Sequence, residues 1–411
     1  MLKQNKFFSI ISISGTALAI MMIMAIIVTD SIKNFNAAPE NNRDRTLYLT
    51  YRSLELRDST GRKTGSSTGL IDIDIFRNYI SLMKTPELIS AYSKSYRGVP
   101  VSTEVSTKEI SLNRTSTDPS YWKILSFSFL EGRAFNEEEF LSEIDNAIIC
   151  ESAAKKLFKG EPALGQTINV NRKPYRIIGI VKDVSPVFRE AYAEIWTQYK
   201  SNDQGGYTVM LLTKSKNDIV AVKEELRKIE KQFHDNERTN TISFIGPNTH
   251  RMRSMRIGGN NDDEIIKNAN IQNRKIIFIL IIIMIIPAVN LSGLNLSRIK
   301  NRTPEIGVRK AFGAKKRIIL IQILCENLIT SFIGGIIGLI LSVLIIFQMR
   351  NWLLDISSDS AIPFSTIISI PVIISVFAVC ILINLLSAAI PAYRASRMTI
   401  VNSITNNDKI S

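Results

Sequence analysis

The chain has 411 residues, 45% of them apolar and 21% charged, with a formal net charge of +14 at pH 7. That length leaves room for roughly three folding units, and the apolar content excludes a disordered chain. Three cysteines (Cys150, Cys325, Cys380) and two histidines (His234, His250) are too few and too scattered for a disulfide framework or a Cys/His zinc cluster.

The first predicted element is Phe7 to Val28, a run of 22 residues without a charge. As a helix rising 1.5 Å per residue it spans about 33 Å, one bilayer crossing. A signal peptide is the rival reading, since Lys3 and Lys6 give a positive start. The run exceeds a usual signal core, however, and Asp30-Ser31-Ile32-Lys33 lacks a small-residue cleavage site.

From Asp30 to Lys275 strand-like and helical patterns alternate. Strands are predicted at Arg45–Tyr51, Thr167–Val170 and Tyr175–Val181, and helices at Asp72–Met83, Ser152–Phe158 and Asp218–Phe233. The last helix places Ile219, Val222, Leu226, Ile229 and Phe233 on one face. Ser59–Gly69 reads as a flexible turn or insertion, and Gly258-Gly259-Asn260-Asn261 as a hinge. A mixed α+β domain fits this order. Neither Gly nor Pro falls between Thr16 and Ala38 or between Asn261 and Ile286, so two helices are expected to run unbroken past the ends of their apolar stretches. Such extensions serve either to carry a tilt into the domain or as passive spacers.

Three further apolar runs follow at Ile276–Leu296, Ile318–Phe347 and Ile362–Ile390. The expected architecture is an α+β membrane protein with four transmembrane helices and a large mixed α/β extracytoplasmic domain inserted between the first and second. Residues 1–6, 298–317 and 394–411 carry net charges of +2, +7 and +2, most of the total. Because basic residues stay on the cytoplasmic side, both termini are expected there. The inserted region nets only about +5 with mixed signs, which does not suit a nucleic-acid surface, so no nucleic-acid partner is expected.

Catalytic patterns are missing. The G-x-S-x-G and H-E-x-x-H signatures do not occur, and Gly61-Arg62-Lys63-Thr64-Gly65 lacks the P-loop spacing, so this chain is not expected to bind ATP by itself. Glu137-Glu138-Glu139 with Glu143 and Asp145 reads as solvated acid, and no metal site is expected.

The loop at 298–317 is the most informative element. Thr303 caps, Pro304 takes the first helical position, Glu305 sits at the positive helix end, and Gly313 stops a short helix. Ile306, Val308 and Phe312 supply apolar contacts and Arg309 and Lys310 supply charge. This suits either a groove in another protein or an anionic lipid surface. Beyond it, Ser331, Gly334, Gly335 and Gly338 permit close helix approach, as do Gly15 and Ala19 on the first run. They mark either a dimer seam or packing within one subunit. Glu326 is an intramembrane carboxylate, serving either as a hydrogen-bond partner or as a proton relay.

The pattern Arg302-x-x-Glu305-Ile306-Gly307-Val308-Arg309-Lys310-Ala311-x-Gly313-Ala314, with Glu326 and Gly334-Gly335-x-x-Gly338 following, resembles the MacB/FtsX family of ABC transporter permeases. Ala389-Ile390-Pro391-Ala392-Tyr393-Arg394-Ala395-Ser396 resembles that family's fourth-helix exit, marked by Pro391 and Arg394. Tyr121-Trp122-Lys123, Leu130–Phe135 and Asn146–Phe158 resemble segments of MacB-like periplasmic core domains. The resemblance implies three parts: residues 1–35, an extracytoplasmic core domain at 36–261, and a permease domain at 262–411.

It also implies a multi-pass, non-catalytic permease subunit in a bacterial cell membrane. ATP and Mg would be bound by a separate ABC ATPase subunit, which would meet Arg302, Glu305, Ile306, Gly307, Arg309, Lys310, Phe312, Gly313 and Ala314. A second permease copy or a related permease would complete the transporter. A periplasmic adaptor and an outer-membrane channel are implied if the cell has two membranes. Export of drugs, peptides or other molecules is the first function implied. FtsX-like signalling to an envelope hydrolase and lipoprotein release are the others. If Glu326 acts only through a hydrogen bond, Glu326→Gln leaves assembly and transport intact, which a transport assay on the assembled complex checks.

Overall fold

The computed structural model describes residues 6–349 except 59, 105–107, 204, 237–239, 260, 302–304, 306–307 and 310, together with the single positions 374, 378, 382, 389 and 393. It has two compact units, one built from Lys33–Gln272 and the other from the flanking segments.

The first helix, α1 (Lys6–Asn34), leads into thirteen strands among the described residues. These are β1 (Thr46–Leu49), β2 (Tyr51–Arg57), β3 (Lys63–Asp72), β4 (Leu88–Thr103), β5 (Ile110–Thr117), β6 (Phe129–Gly132), β7 (Asn146–Cys150), β8 (Thr167–Val170), β9 (Lys173–Val181), β10 (Ile195–Gln198), β11 (Gly206–Leu212), β12 (Asn240–Ile245) and β13 (Asn248–Thr249). Between them lie α2 (Ile73–Asn78), α3 (Pro119–Ile124), α4 (Glu137–Leu141), α5 (Glu151–Phe158) and α6 (Ile219–Asn236). They are followed by α7 (His250–Ser254), α8 (Asp262–Asn301) and α9 (Lys316–Gln348).

The strands join in the order β12-β2-β3-β11-β4-β5-β10-β7-β9-β6, with β1 beside β11 and β13, and β8 beside β4 and β9. The sheet is mixed: β10 runs parallel to β5 and antiparallel to β7, and β7 runs parallel to β9. Two hydrophobic cores form on it. One gathers Tyr121, Ile124, Ile148, Ile177 and Trp196 around the central strands. In the other, Val222, Leu226 and Ile229 of α6 and Phe76 of α2 pack on Leu49, Val209 and Leu211. The buried face of α6 is thus the one read from its 3.6-residue spacing.

Three local expectations are corrected. Lys63–Gly69, read as part of a flexible turn or insertion, is strand, because Gly65–Gly69 pair with Leu56–Arg52 of β2 and Lys63 pairs with Arg57 past a register shift. Arg45–Tyr51 is not one strand. At Thr50 the chain changes partners, from β11 on the β1 side to β3 and β12 on the β2 side. The helix expected over Asp72–Met83 ends at Asn78 and resumes only as a single 3₁₀ turn at Ile80–Leu82, with Tyr79 between them packed against Phe233 at a ring separation of 5.5 Å.

Helices α1, α8 and α9 contain the first three apolar runs, and α1 and α8 are each uninterrupted. Among the described residues no helix is long and apolar enough to cross a membrane. The run Ile362–Ile390 lies outside the described residues apart from positions 374, 378, 382 and 389, which are helical.

The Leu130–Phe135 motif has a steric cause. Gly132 sits at φ +70°, and a Cβ there would lie 2.1 Å from the Ile178 carbonyl oxygen and 2.9 Å from the Gly179 Cα. Only a residue without a side chain lets β6 approach β9 so closely. Gly132→Ala is therefore expected to destabilise this unit by about 2 kcal/mol or more, read as a lowered melting temperature of the full chain.

Candidate functional site

Two regions bring functional groups together, one in each unit. In the flanking unit, Glu305, Val308, Arg309 and Ala311 are helical, and the helix ends at Gly313. The Ala314 amide donates to the Arg309 carbonyl at 3.0 Å across Gly313, whose φ is +89°. This six-to-one closure is the glycine stop that satisfies orphan carbonyls at a helix end. It leaves Val308 at 50% and Phe312 at 89% exposure. The Phe312 ring is therefore held almost wholly in the open on a closed turn. Arg309 is engaged differently: its Nη1 donates to Gln322 Oε1 of α9 at 2.7 Å. It therefore fixes the turn against α9. Glu305 is exposed, and Arg302, Ile306, Gly307 and Lys310 lie outside the described residues, as do Pro391 and Arg394.

Gly334, Gly335 and Gly338 are buried, and the stripe continues through Ser342 and Ile346 at four-residue steps. Phe332, Ile336, Ile340 and Leu344 on the other side are exposed. The glycines are thus covered by this chain itself. Gly15 is half-buried, and the side chains of Ala19, Glu326 and Ser331 lie outside the described residues.

In the Lys33–Gln272 unit, a buried ionic cluster centres on Glu190, which is 2% exposed. Arg253 of α7 grips its carboxylate with Nε to Oε1 at 2.9 Å and Nη2 to Oε2 at 3.1 Å. Tyr92 of β4 donates its hydroxyl to Oε2 as well. The Arg253 guanidinium also donates to Thr50 Oγ1 and lies 5.0 Å from the Tyr48 ring centre. Glu40 Oε1 accepts the amides of Glu190 and Ala191 at 2.8 and 3.0 Å. Its Oε2 accepts from Arg43 Nε at 2.7 Å, and Arg43 Nη1 donates to the Phe35 carbonyl just beyond α1 at 2.9 Å. His250 Nε2 donates to the Lys33 carbonyl at 2.9 Å, and Ser254 Oγ donates to Asn34 Oδ1 at 2.7 Å. A helix end thus has its carbonyls satisfied by side chains from the domain. Burial holds the His250 pKa below its ordinary value. Burial alone would raise that of Glu190, but Arg253 and Lys94 outweigh it and hold the carboxyl at about 2.

A cavity of about 680 Å³ opens elsewhere on this unit, lined in part by Arg133, Asp145, Leu164, Arg176 and Ile178. Its acids are engaged: Glu139 pairs with both Arg133 nitrogens at 2.7 and 2.8 Å, and Asp145 pairs with Lys173 and Lys200. Glu139, read from sequence as solvated, also accepts the Asn136 amide in a capping box. Among the described residues no group of three or more His, Cys, Asp or Glu could hold a metal ion.

Sequence reasoning missed Glu40, Arg43, Glu190 and Arg253. No local pattern marks a charge as buried when its partner is 63 or 150 positions away.

The family profile of the MacB-like periplasmic core domain matches residues 9–229, more than half of the chain, and that of the FtsX-like permease C-terminal region matches residues 277–400. The macrolide export ATP-binding/permease protein MacB of Shewanella sp. is 25% identical over 86% of this chain and 52% of its own length. The ABC transporter permease YknZ of Bacillus subtilis is 26% identical over 53% of each chain. The chain spans about half the length, or less, of the MacB relatives it matches. The extracellular domain of YknZ, solved by crystallography, is similar at a TM-score of 0.35 and 16% identity, covering 48% of this chain and all of that one.

Because the carboxyl of Glu190 ionises near 2 rather than near 4.5, it contributes stability that is complete above pH 4.5 and is lost as pH falls toward 2. Glu190→Gln is expected to cost on the order of 3 kcal/mol at pH 7. Melting curves of both full chains should converge as pH falls from 5 toward about 2.

Proposed function

The chain belongs to the membrane-embedded family of ABC transporter permeases that joins a MacB-like periplasmic core domain to an FtsX-like permease region, and on that premise we propose that it is the non-catalytic permease subunit of a MacB-type export system. The observation behind the coupling role is Phe312, exposed at 89% on a turn closed by Gly313 and braced to α9 through Arg309 and Gln322. A separate ABC ATPase, carrying ATP and Mg, receives Phe312 and Val308 in an apolar groove. Glu305, Arg302 and Lys310 supply the charged rim of that contact.

In this reading the four apolar runs cross the membrane, with the 298–317 loop and both termini in the cytoplasm and the Lys33–Gln272 unit outside. ATP binding displaces the loop, tilts the helices, and moves the outer unit. The work is done on drugs, peptides or other molecules outside the membrane, with a second permease copy or a related permease completing the transporter. A periplasmic adaptor and an outer-membrane channel extend the path where a second membrane exists. The membrane relatives named for macrolide export support this choice over signalling.

Affinity purification of the full tagged chain from its native membrane under gentle cross-linking tests the reading. An ATPase is expected with the unsubstituted chain, and its recovery is expected to fall on the order of tenfold or more with Phe312→Ala, as for a buried interface anchor. Undiminished recovery with Phe312→Ala would move the coupling contact elsewhere. A bound wall hydrolase in place of an adaptor would favour the signalling branch.

A further inference from the structure

Every polar group of Glu190 is committed to a different element. Its amide donates to Glu40, which is joined through Arg43 to the Phe35 carbonyl beyond α1. Its carboxylate takes Arg253 of α7, the short helix that precedes α8, and Tyr92 of β4. Its carbonyl accepts the Tyr121 hydroxyl of α3 at 2.8 Å. The neighbouring Phe188 lies under the Arg43 guanidinium at 4.9 Å. The segment Ser185–Tyr192 thus receives the end of α1 from one side and α7 from the other, and hands both to the larger core. It does so through directional, charge-assisted bonds, which have a small number of discrete arrangements.

Stability alone is a poor reason for this arrangement. Burying an ion pair carries a desolvation penalty, and well-packed apolar replacements are often neutral or stabilising. A junction of fixed geometry is what the pair supplies. The geometry points to Glu190 as a positioning residue, the node at which movement of the α1 end or of α7 is transferred to the outer sheet. This rests on the proposed coupling function and adds the place where its mechanical path enters the domain. Glu40 and Arg253 are the two arms, and Tyr92 and Tyr121 are the outlets.

The experiment uses the full chain with its co-purified ATPase in lipid nanodiscs. Cys150, Cys325 and Cys380 are replaced by serine, and spin labels are placed at the exposed positions Asn270 on α8 and Lys182 after β9. The distance between the labels is measured with and without ATP. Glu190→Met combined with Arg253→Met removes both charges together, which avoids leaving either one buried alone. ATPase recovery and ATP hydrolysis are expected to stay within about twofold of the unsubstituted chain, with the melting temperature maintained, while the ATP-dependent distance change falls by more than half. Arg253→Lys, which keeps the charge but not the two-pronged grip, is expected to give an intermediate change. A full-sized distance change in the double variant would overturn the node and leave the coupling function standing. No ATP-dependent change in the unsubstituted chain, with no ATPase bound, would overturn both.

Discussion

Glu190 is a carboxylate at 2% exposure, in an interior where a charge without partners costs several kcal/mol. It is tolerable there only because Arg253, Tyr92 and the amide and carbonyl contacts around it are all in place at once. That requirement sets the position of elements far apart in the chain. α7 must lie over β1 so that Arg253 passes Tyr48 and Thr50 on its way to the carboxylate. The stretch after α1 must turn back so that Glu40 reaches the 190–191 amides.

The same logic explains why the sheet changes partners at Thr50. A continuous strand from Arg45 to Tyr51 would keep one ladder throughout, whereas the break places Thr50 where the Arg253 guanidinium donates to it. The two hydrophobic cores meet along β4 and β11, and β4 contributes Tyr92 to the ionic cluster and Ala91 to the second core. Asp118 adds a further fixed point. Its carboxylate accepts from Ser90 at 2.7 Å, from the Ala91 amide at 2.8 Å and from the Tyr121 amide at 3.0 Å. This capping of α3 orients the ring whose hydroxyl reaches the Glu190 carbonyl.

The turn at Gly313 follows an opposite principle. There the fold holds an apolar group out in the open rather than a charge inside. Gly313 permits the left-handed closure, Arg309 ties the turn to Gln322, and Phe312 is left exposed. Under the proposed docking, this rigid presentation lowers the entropy that Phe312 loses. Arg309, expected from the resemblance to lie at a partner surface, is exposed and donates to Gln322 as well.

Period and punctuation made much of this legible beforehand. The 3.6-residue spacing of Val222, Leu226 and Ile229 defines the buried face of α6, and the helix stop expected at Gly313 coincides with its positive φ. The apolar runs at Phe7–Val28, Ile276–Leu296 and Ile318–Phe347 lie within helices, and the family segments Tyr121–Lys123, Leu130–Phe135 and Asn146–Phe158 fall on α3, on β6 and the residues after it, and on β7 with α5. These are local properties, written within a few turns or strands of chain. Tertiary structure alone decided which strands pair across the mixed sheet, that Lys63–Gly69 is strand, that the α9 glycines are covered by their own chain, and that four charged residues meet in the interior. The sheet order and the contacts of Glu190 depend on partners distant in sequence, and neither hydrophobic period nor turn chemistry says which charge will be taken out of water.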